Sequence, residues 1–393
     1  MYIDRRGVIA LSASAALLAA RRALAQSEAP LKVGLILPMT GPFQSTGRQV
    51  DAAARLYVQQ NPRTAQGRAV EIVTRDDAGV ADTTRRLAQE LVVNEKVFAL
   101  AGFGLTPLAL AAAPIATRAH VPMIVTSAAT AAITEASPFV VRASATLPQT
   151  ASIAAVWASK TGIKKVVTLV SDYGPGIDAE TWFKTGYTAS GGLIPASLRV
   201  PLQNPDFAPF LQRAHDESPD AIFVFVPSGP GAAVMRQFAE RGLVQAGIRL
   251  FGTGDLTDDD ILNGMGDTAL GVVTSHFYSA AHDSAMNHAF VESFRRANGN
   301  MRPNYMAVGG YDGMAMIYQA LARTGGNTDG PALVEAMKGL SFESPRGPIT
   351  VDPKTRELTQ NIYIRHVERR DGELWNIETE TFPAVVDPAK VKA

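Results

Sequence analysis

Short apolar runs alternate along this chain with longer stretches in which apolar residues recur every three to four positions. Runs of the first kind predict buried strands, and stretches of the second kind predict amphipathic helices. In the first third, strands are expected at 31–37, 70–74, 97–101 and 121–126, with helices at 47–60, 82–95 and from 106 onward. Asp82 and Thr106 stand where helix N-caps belong, and Pro107 follows at a point where a missing N–H costs nothing. The alternation restarts with helices at 149–161, 174–190, 206–217 and 229–241 between strands at 165–171, 193–200, 221–226, 249–251 and 271–274. Three more helices, at 283–297, 303–323 and 331–339, precede a tail of short strands at 347–351, 359–367 and 373–377. Strands apolar on both faces, each followed by a helix, define an α/β fold with two doubly wound parallel lobes.

Residues 1–25 break this pattern. Arg5 and Arg6 precede a small-residue apolar segment, and Ala23-Leu24-Ala25 before Gln26 has the form a signal peptidase accepts. We read 1–25 as a signal peptide, with the paired arginines fitting either the twin-arginine or the Sec route. The chain has 37 basic and 37 acidic residues, and removing 1–25 leaves it with a net charge of about −3. No basic stripe follows from such a balance, which argues against nucleic acid as a partner. The sequence contains no cysteine, so it holds no disulfide, no zinc–thiolate site and no cysteine for a lipid anchor after the signal. A free periplasmic protein, monomeric, is the expectation.

The six histidines are scattered without metal-ligand spacing, and the glycine pairs at 102/104, 229/231 and 252/254 are each incomplete as nucleotide fingerprints. The acidic run Asp255 to Asp260 predicts a charged first turn of a short helix. No nucleophile–base motif occurs, so neither an enzyme nor a cofactor or metal is expected. Two strand-to-helix corners, Gly102 to Thr106 and Thr126 to Thr130, instead bring free backbone N–H groups, hydroxyls and helix N-termini toward one crevice. A carboxylate fits there.

The order strand, Gly102 to Thr106, helix, then Val121-Pro-Met-Ile-Val-Thr126 and Ser127-Ala-Ala-Thr130, resembles the ligand-binding segment of the type I periplasmic binding proteins. The branch resembled is the one that binds leucine, isoleucine and valine for ABC importers. The resemblance implies two lobes closing on a ligand, with three crossings of the chain between them. Carried onto this sequence, lobe 1 is 26–143 plus 278–344, and lobe 2 is 144–277 plus 345–393. It implies that the hydroxyls of Thr106, Ser127 and Thr130 and the backbone N–H of Ala128 hold the ligand carboxylate. Tyr173, in a segment similar to the family's D-x-x-Y-G, is expected to fold over the ligand, and Phe103 to contribute to the wall with Phe43, Phe277 and Tyr278 as further candidates. The acidic residue that receives an amino acid's ammonium in this branch stands one position late here, at Asp255, and a usual tyrosine is replaced by Pro227-Ser228. The partners implied are a small carboxylate-bearing ligand and an ABC permease in the inner membrane. An apolar amino acid and an aromatic or aliphatic acid without an amine both remain open as ligands, as does a sensing role at a membrane receptor.

Overall fold

The computed structural model describes residues 29–391, so the expected signal peptide lies outside the described residues. The first sheet contains β1 (Leu31–Leu37), β2 (Val70–Asp76), β3 (Ala99–Gly102), β4 (Met123–Val125) and β5 (Val140–Arg142). Its order is β2-β1-β3-β4-β5, and every pairing is parallel. Val33, Ile36 and Leu37 are fully buried because helices cover both faces, which is why β1 is apolar throughout. The covering helices are α1 (Gln44–Gln60), α2 (Ala81–Val93) and α3 (Thr106–Ala119).

The second sheet begins with the parallel strands β6 (Val166–Ser171), β7 (Ser197–Val200), β8 (Ala221–Phe225), β9 (Arg249–Thr253) and β10 (Val273–His276), in the order β7-β6-β8-β9-β10. Helices α4 (Leu147–Lys160), α5 (Gly174–Ala189), α6 (Ala208–Asp216) and α7 (Gly231–Glu240) alternate with them, and the short α8 (Leu262–Met265) follows β9. The chain then returns through α9 (Ala285–Ala297), α10 (Tyr305–Arg323) and α11 (Gly330–Met337) to the side of the first sheet. Gly309 makes that return possible, since a Cβ there would lie 2.2 Å from the carbonyl oxygen of Thr126.

Four antiparallel strands finish the second sheet: β11 (Ser341–Ser344), β12 (Gly347–Val351), β13 (Leu358–Arg370) and β14 (Glu373–Val385). β13 and β14 are far longer than the short strands expected, because Asp371 and Gly372 both take positive φ and make a tight hairpin whose twist matches the strands. β11, assigned by sequence to the first lobe, hydrogen-bonds into this second sheet. Ile349, Val351 and Leu358 nevertheless share one apolar core with β1 and α10, so this end of the sheet lies against the first lobe.

A fully buried arginine stands at or beside each passage between the sheets. Arg142 pairs with Glu357, Arg346 pairs with Asp312, and Arg365 lies 3.7 Å from Asp259 and donates to the carbonyls of Tyr278 and Gly254. Each joins segments distant in sequence, and each buried charge has an opposite partner.

Candidate functional site

The sheets face each other across a cleft whose empty space, counted together with the solvent open to it, is about 360 Å³. From the first lobe, the wall is made by Phe43 and Thr46 at the start of α1, Gly104 to Thr106 at the β3–α3 corner, Ser127 to Ala129 after β4, and Met306 on α10. Leu147, at the start of α4, closes one end. The second lobe supplies Tyr173 and Pro175 after β6, Phe225 to Ser228 at the end of β8, and Asp255 after β9, with Val226 alone of that strand end turned away. These are strand ends followed by helix starts, the place where an open α/β sheet binds ligands.

Thr106, Ser127, Ala128, Tyr173 and Asp255 are thus brought together, as the sequence predicted. Thr106 is not the N-cap, however. Leu105 holds that position in extended conformation, Thr106 is the first helical residue, and its freed hydroxyl pairs with the Thr130 hydroxyl at 2.9 Å. Asp82 likewise falls inside the first turn of α2, after Val80 as cap, because its carboxylate turns to Arg85 at 2.8 Å. Thr130 stands beside the cavity rather than on its wall and is partly buried.

Two of the expected contributors act differently. The N–H of Ala128 donates to the carbonyl of Phe103 at 3.1 Å, so it serves to tie the two corners together. The amides of Gly104, Leu105, Thr106, Ser127, Ala129 and Thr130, in contrast, have no acceptor among the described residues and are free donors of the two corners. Phe103 does not line the cavity. Its φ of 67° turns the ring into the core under the sheet, fully buried among residues such as Leu100 and Val125. Phe277 and Tyr278 are also core residues, whereas Phe43 does line the cleft.

Arg142 sets the shape of the 127–130 turn. It donates to the carbonyls of Ala128 and Thr130, the latter at 2.7 Å, while Glu357 holds its other face. With carbonyls drawn backward toward the guanidinium, the N–H groups of Ser127, Ala129 and Thr130 are left without a protein acceptor. Tyr173 precedes α5 and stacks on Phe225 with ring centroids 6.1 Å apart. Burial, and then the Asp255 carboxylate, push its phenol well above the ordinary value, so it stays a neutral donor.

Asp255 is held at both oxygens. The Tyr305 hydroxyl donates to Oδ1 at 2.6 Å and the Thr253 hydroxyl to Oδ2 at 3.1 Å. Burial raises the pKa of its carboxyl, and the two hydroxyls counteract that rise. The rest of the acidic run does not charge a solvated helix. Asp258 accepts from Ser228 and from Asn304 Nδ2 at 2.8 and 3.0 Å, Asp259 from Asn376 at 3.0 Å, and Asp260 from Ser45. Asp258 and Asp260 therefore join the lobes across the mouth of the cleft, as does Asp178 of α5, which accepts from the N–H of Ala131 at 2.9 Å.

Phe225, Met306, Leu147 and Tyr305 were not foreseen as site residues. Phe225 sits in a strand run and Met306 in a helical pattern, where nothing in sequence separates a cavity wall from a core. Among the described residues, no group of acidic or histidine side chains is arranged to hold a metal ion, and no helix is long and apolar enough to cross a membrane.

Two lobes, a cleft at the strand ends, neutral anion donors on one side and an aromatic wall on the other define a two-lobed solute-binding protein. Residues 30–373 match the periplasmic binding protein family, and the chain belongs to it. A Leu/Ile/Val-binding protein homolog 6 from Brucella abortus is 44% identical over 363 residues, covering 91% of this chain and 93% of that protein. The solute-binding protein of an ABC transporter from Rhodopseudomonas palustris BisB5, solved with 3,4-dihydroxybenzoic acid, is 58% identical with a TM-score of 0.90, covering 93% of this chain and all of that one. A second R. palustris solute-binding protein, solved with 4-hydroxybenzoate, is 40% identical with a TM-score of 0.89 and the same coverage.

Proposed function

We propose that this protein captures an aromatic carboxylate of the hydroxybenzoate class in the cleft and delivers it, by opening of the lobes, to the permease of an ABC importer. The observation that carries the reading is a cleft wall that sets neutral anion donors beside the aromatic side chains of Phe43, Tyr173 and Phe225, in a chain 58% identical to a binder of 3,4-dihydroxybenzoic acid. The ring lies among Phe43, Tyr173 and Phe225, and its carboxylate meets the hydroxyls of Thr106 and Ser127 and the free amides of Thr106 and Ala129. Offset ring contacts and charge-assisted hydrogen bonds supply the affinity. Work in the periplasm, after export directed by residues 1–25, belongs to the same reading.

A second reading is supported by the 44% identical Leu/Ile/Val-binding homologue and by the carboxylate of Asp255 on the wall, which can receive an ammonium group. A thermal-shift panel of benzoates, aliphatic acids and apolar amino acids separates the two. A ligand at a hundred times its dissociation constant adds about 2.7 kcal/mol of stability. Stabilisation by hydroxybenzoates and not by leucine, isoleucine or valine supports the first reading, and the reverse result supports the second.

A further inference from the structure

Asp255 is the single charged side chain among the residues that line the cavity; no lysine, arginine or histidine joins it. A bound carboxylate thus shares a closed space with a second carboxylate and no lining cation. Unsubstituted benzoate leaves these two groups facing each other, a repulsion that low local dielectric strengthens. A ring hydroxyl changes the arrangement, because it presents an O–H donor where Asp255 presents acceptors. A carboxylate has about four acceptor positions, and three are engaged here, by the Tyr305 hydroxyl on Oδ1 at 2.6 Å, by the Thr253 hydroxyl on Oδ2 at 3.1 Å and by the residue's own backbone N–H. These two hydroxyls fix the carboxylate plane from opposite lobes. Thr253 ends β9 in the second sheet, and Tyr305 opens α10 against the first, where Asn304 caps the helix by accepting from Met306 N–H at 3.0 Å.

We propose that Asp255 reads a hydroxyl on the ligand's ring, so that the site selects hydroxylated benzoates over benzoate itself, with Tyr305 as the residue that positions the carboxylate. The proposal rests on the aromatic-acid reading above and adds the group that confers selectivity within it. The tyrosine hydroxyl is spent as a donor to Asp255, which leaves the remaining acceptor position of the carboxylate to the ligand. A buried acceptor left without its donor is what a selective hydroxyl site penalises. A second readout is pH, because burial raises the proton affinity of Asp255 against the opposing effect of its hydrogen-bond donors and of the Arg365 guanidinium. Benzoate binds more easily once Asp255 is protonated, so its affinity falls as pH rises, whereas a hydroxybenzoate is bound by the ionised form.

The test is calorimetric titration of the purified, ligand-stripped protein with benzoate, 3-hydroxybenzoate, 4-hydroxybenzoate and leucine, for the wild type, Asp255→Asn and Tyr305→Phe. Expected is a preference of about ten- to a hundredfold for at least one hydroxybenzoate over benzoate in the wild type, from one charge-assisted hydrogen bond. Asp255→Asn should erase most of that preference and the pH dependence of benzoate binding. Tyr305→Phe should reduce the preference several-fold and shift the fall of benzoate affinity to higher pH, since the carboxylate loses a donor that favours its ionised form, a split that general loosening of the site does not produce. If Asp255→Asn fails to fold, the Tyr305→Phe split and the wild-type pH profile decide. A hydroxyl preference that survives Asp255→Asn, or benzoate and hydroxybenzoates bound equally by the wild type, overturns the inference and leaves the aromatic-acid reading standing. Leucine binding that is lost in Asp255→Asn, with no benzoate bound, overturns both.

Discussion

Thr106 and Thr130 show how much depends on a single hydroxyl pair. Their oxygens are 2.9 Å apart, so one can donate to the other while the second proton remains for a ligand anion. Replacing both with alanine should weaken carboxylate binding roughly tenfold or more, the scale of a hydrogen bond to a charged group, with little change in the melting temperature of the empty protein. Titration calorimetry paired with thermal melts checks both halves of that statement. Arg142 belongs to the same residue scale but has a structural effect. Arg142→Met leaves Glu357 buried without its cation, and breaking such a pair costs about 3–5 kcal/mol, which chemical denaturation would measure. The sequence indicated Thr106 and Ser127 because hydroxyls at two strand-to-helix corners stand beside free amides, and Asp255 only through the resemblance to amino-acid binders. It could not indicate that the N–H of Ala128 is consumed by Phe103, since that bond depends on the positive φ of one residue.

At the level of elements, the two βα corners and the start of α5 form one junction. A Cβ added to Gly174 would lie 2.8 Å from the Thr130 hydroxyl and 3.6 Å from a methyl carbon of Thr106, so the α5 N-terminus comes down directly on the anion donors. Gly174→Val should therefore obstruct closure. The expected result is a large loss of ligand affinity with the empty protein's fold intact, and small-angle scattering with and without ligand would show compaction in the wild type only. Most elements were legible in the sequence because strand and helix periods differ and both faces of the parallel strands are apolar. β5 and β11 were missed, being only three and four residues long. The full length of β13 and β14 escaped because the end of β13 is exposed and charged, and the far half of β14 mixes exposed polar residues with Phe382 and Val385, without a clear strand period.

At the scale of the whole molecule, contacts across the cleft couple the lobes to pH. Asn304 is locked in orientation, accepting helix amides at Oδ1 and donating from Nδ2 to Asp258. Burial pushes the Asp258 carboxyl up to about 7, from an ordinary 3.8. A carboxyl that holds its proton more tightly in the folded protein stabilises it fully below pH 3.8. That contribution is lost as pH rises toward 7 and is constant beyond, because the unfolded chain releases the proton first. Between about pH 5 and pH 7 the loss is on the order of 2 kcal/mol. Asp258→Asn keeps the shape and removes the titration, so its stability relative to wild type should improve across this window, which calorimetry at several pH values would detect. The buried arginines at the passages between the sheets hold the crossings together through their carboxylate partners. The division of the chain between lobes was expected only by resemblance, because the passages between the sheets involve residues such as Glu357 and Asp312 that are remote in sequence from the arginines they pair with.

The central claim is that the cleft holds an aromatic carboxylate, and isothermal titration of ligand-stripped protein with 3,4-dihydroxybenzoate in competition with leucine addresses it most directly. The account predicts saturable one-to-one binding of 3,4-dihydroxybenzoate that excess leucine does not displace. Binding of leucine alone, with no heat from the aromatic acid, would contradict it.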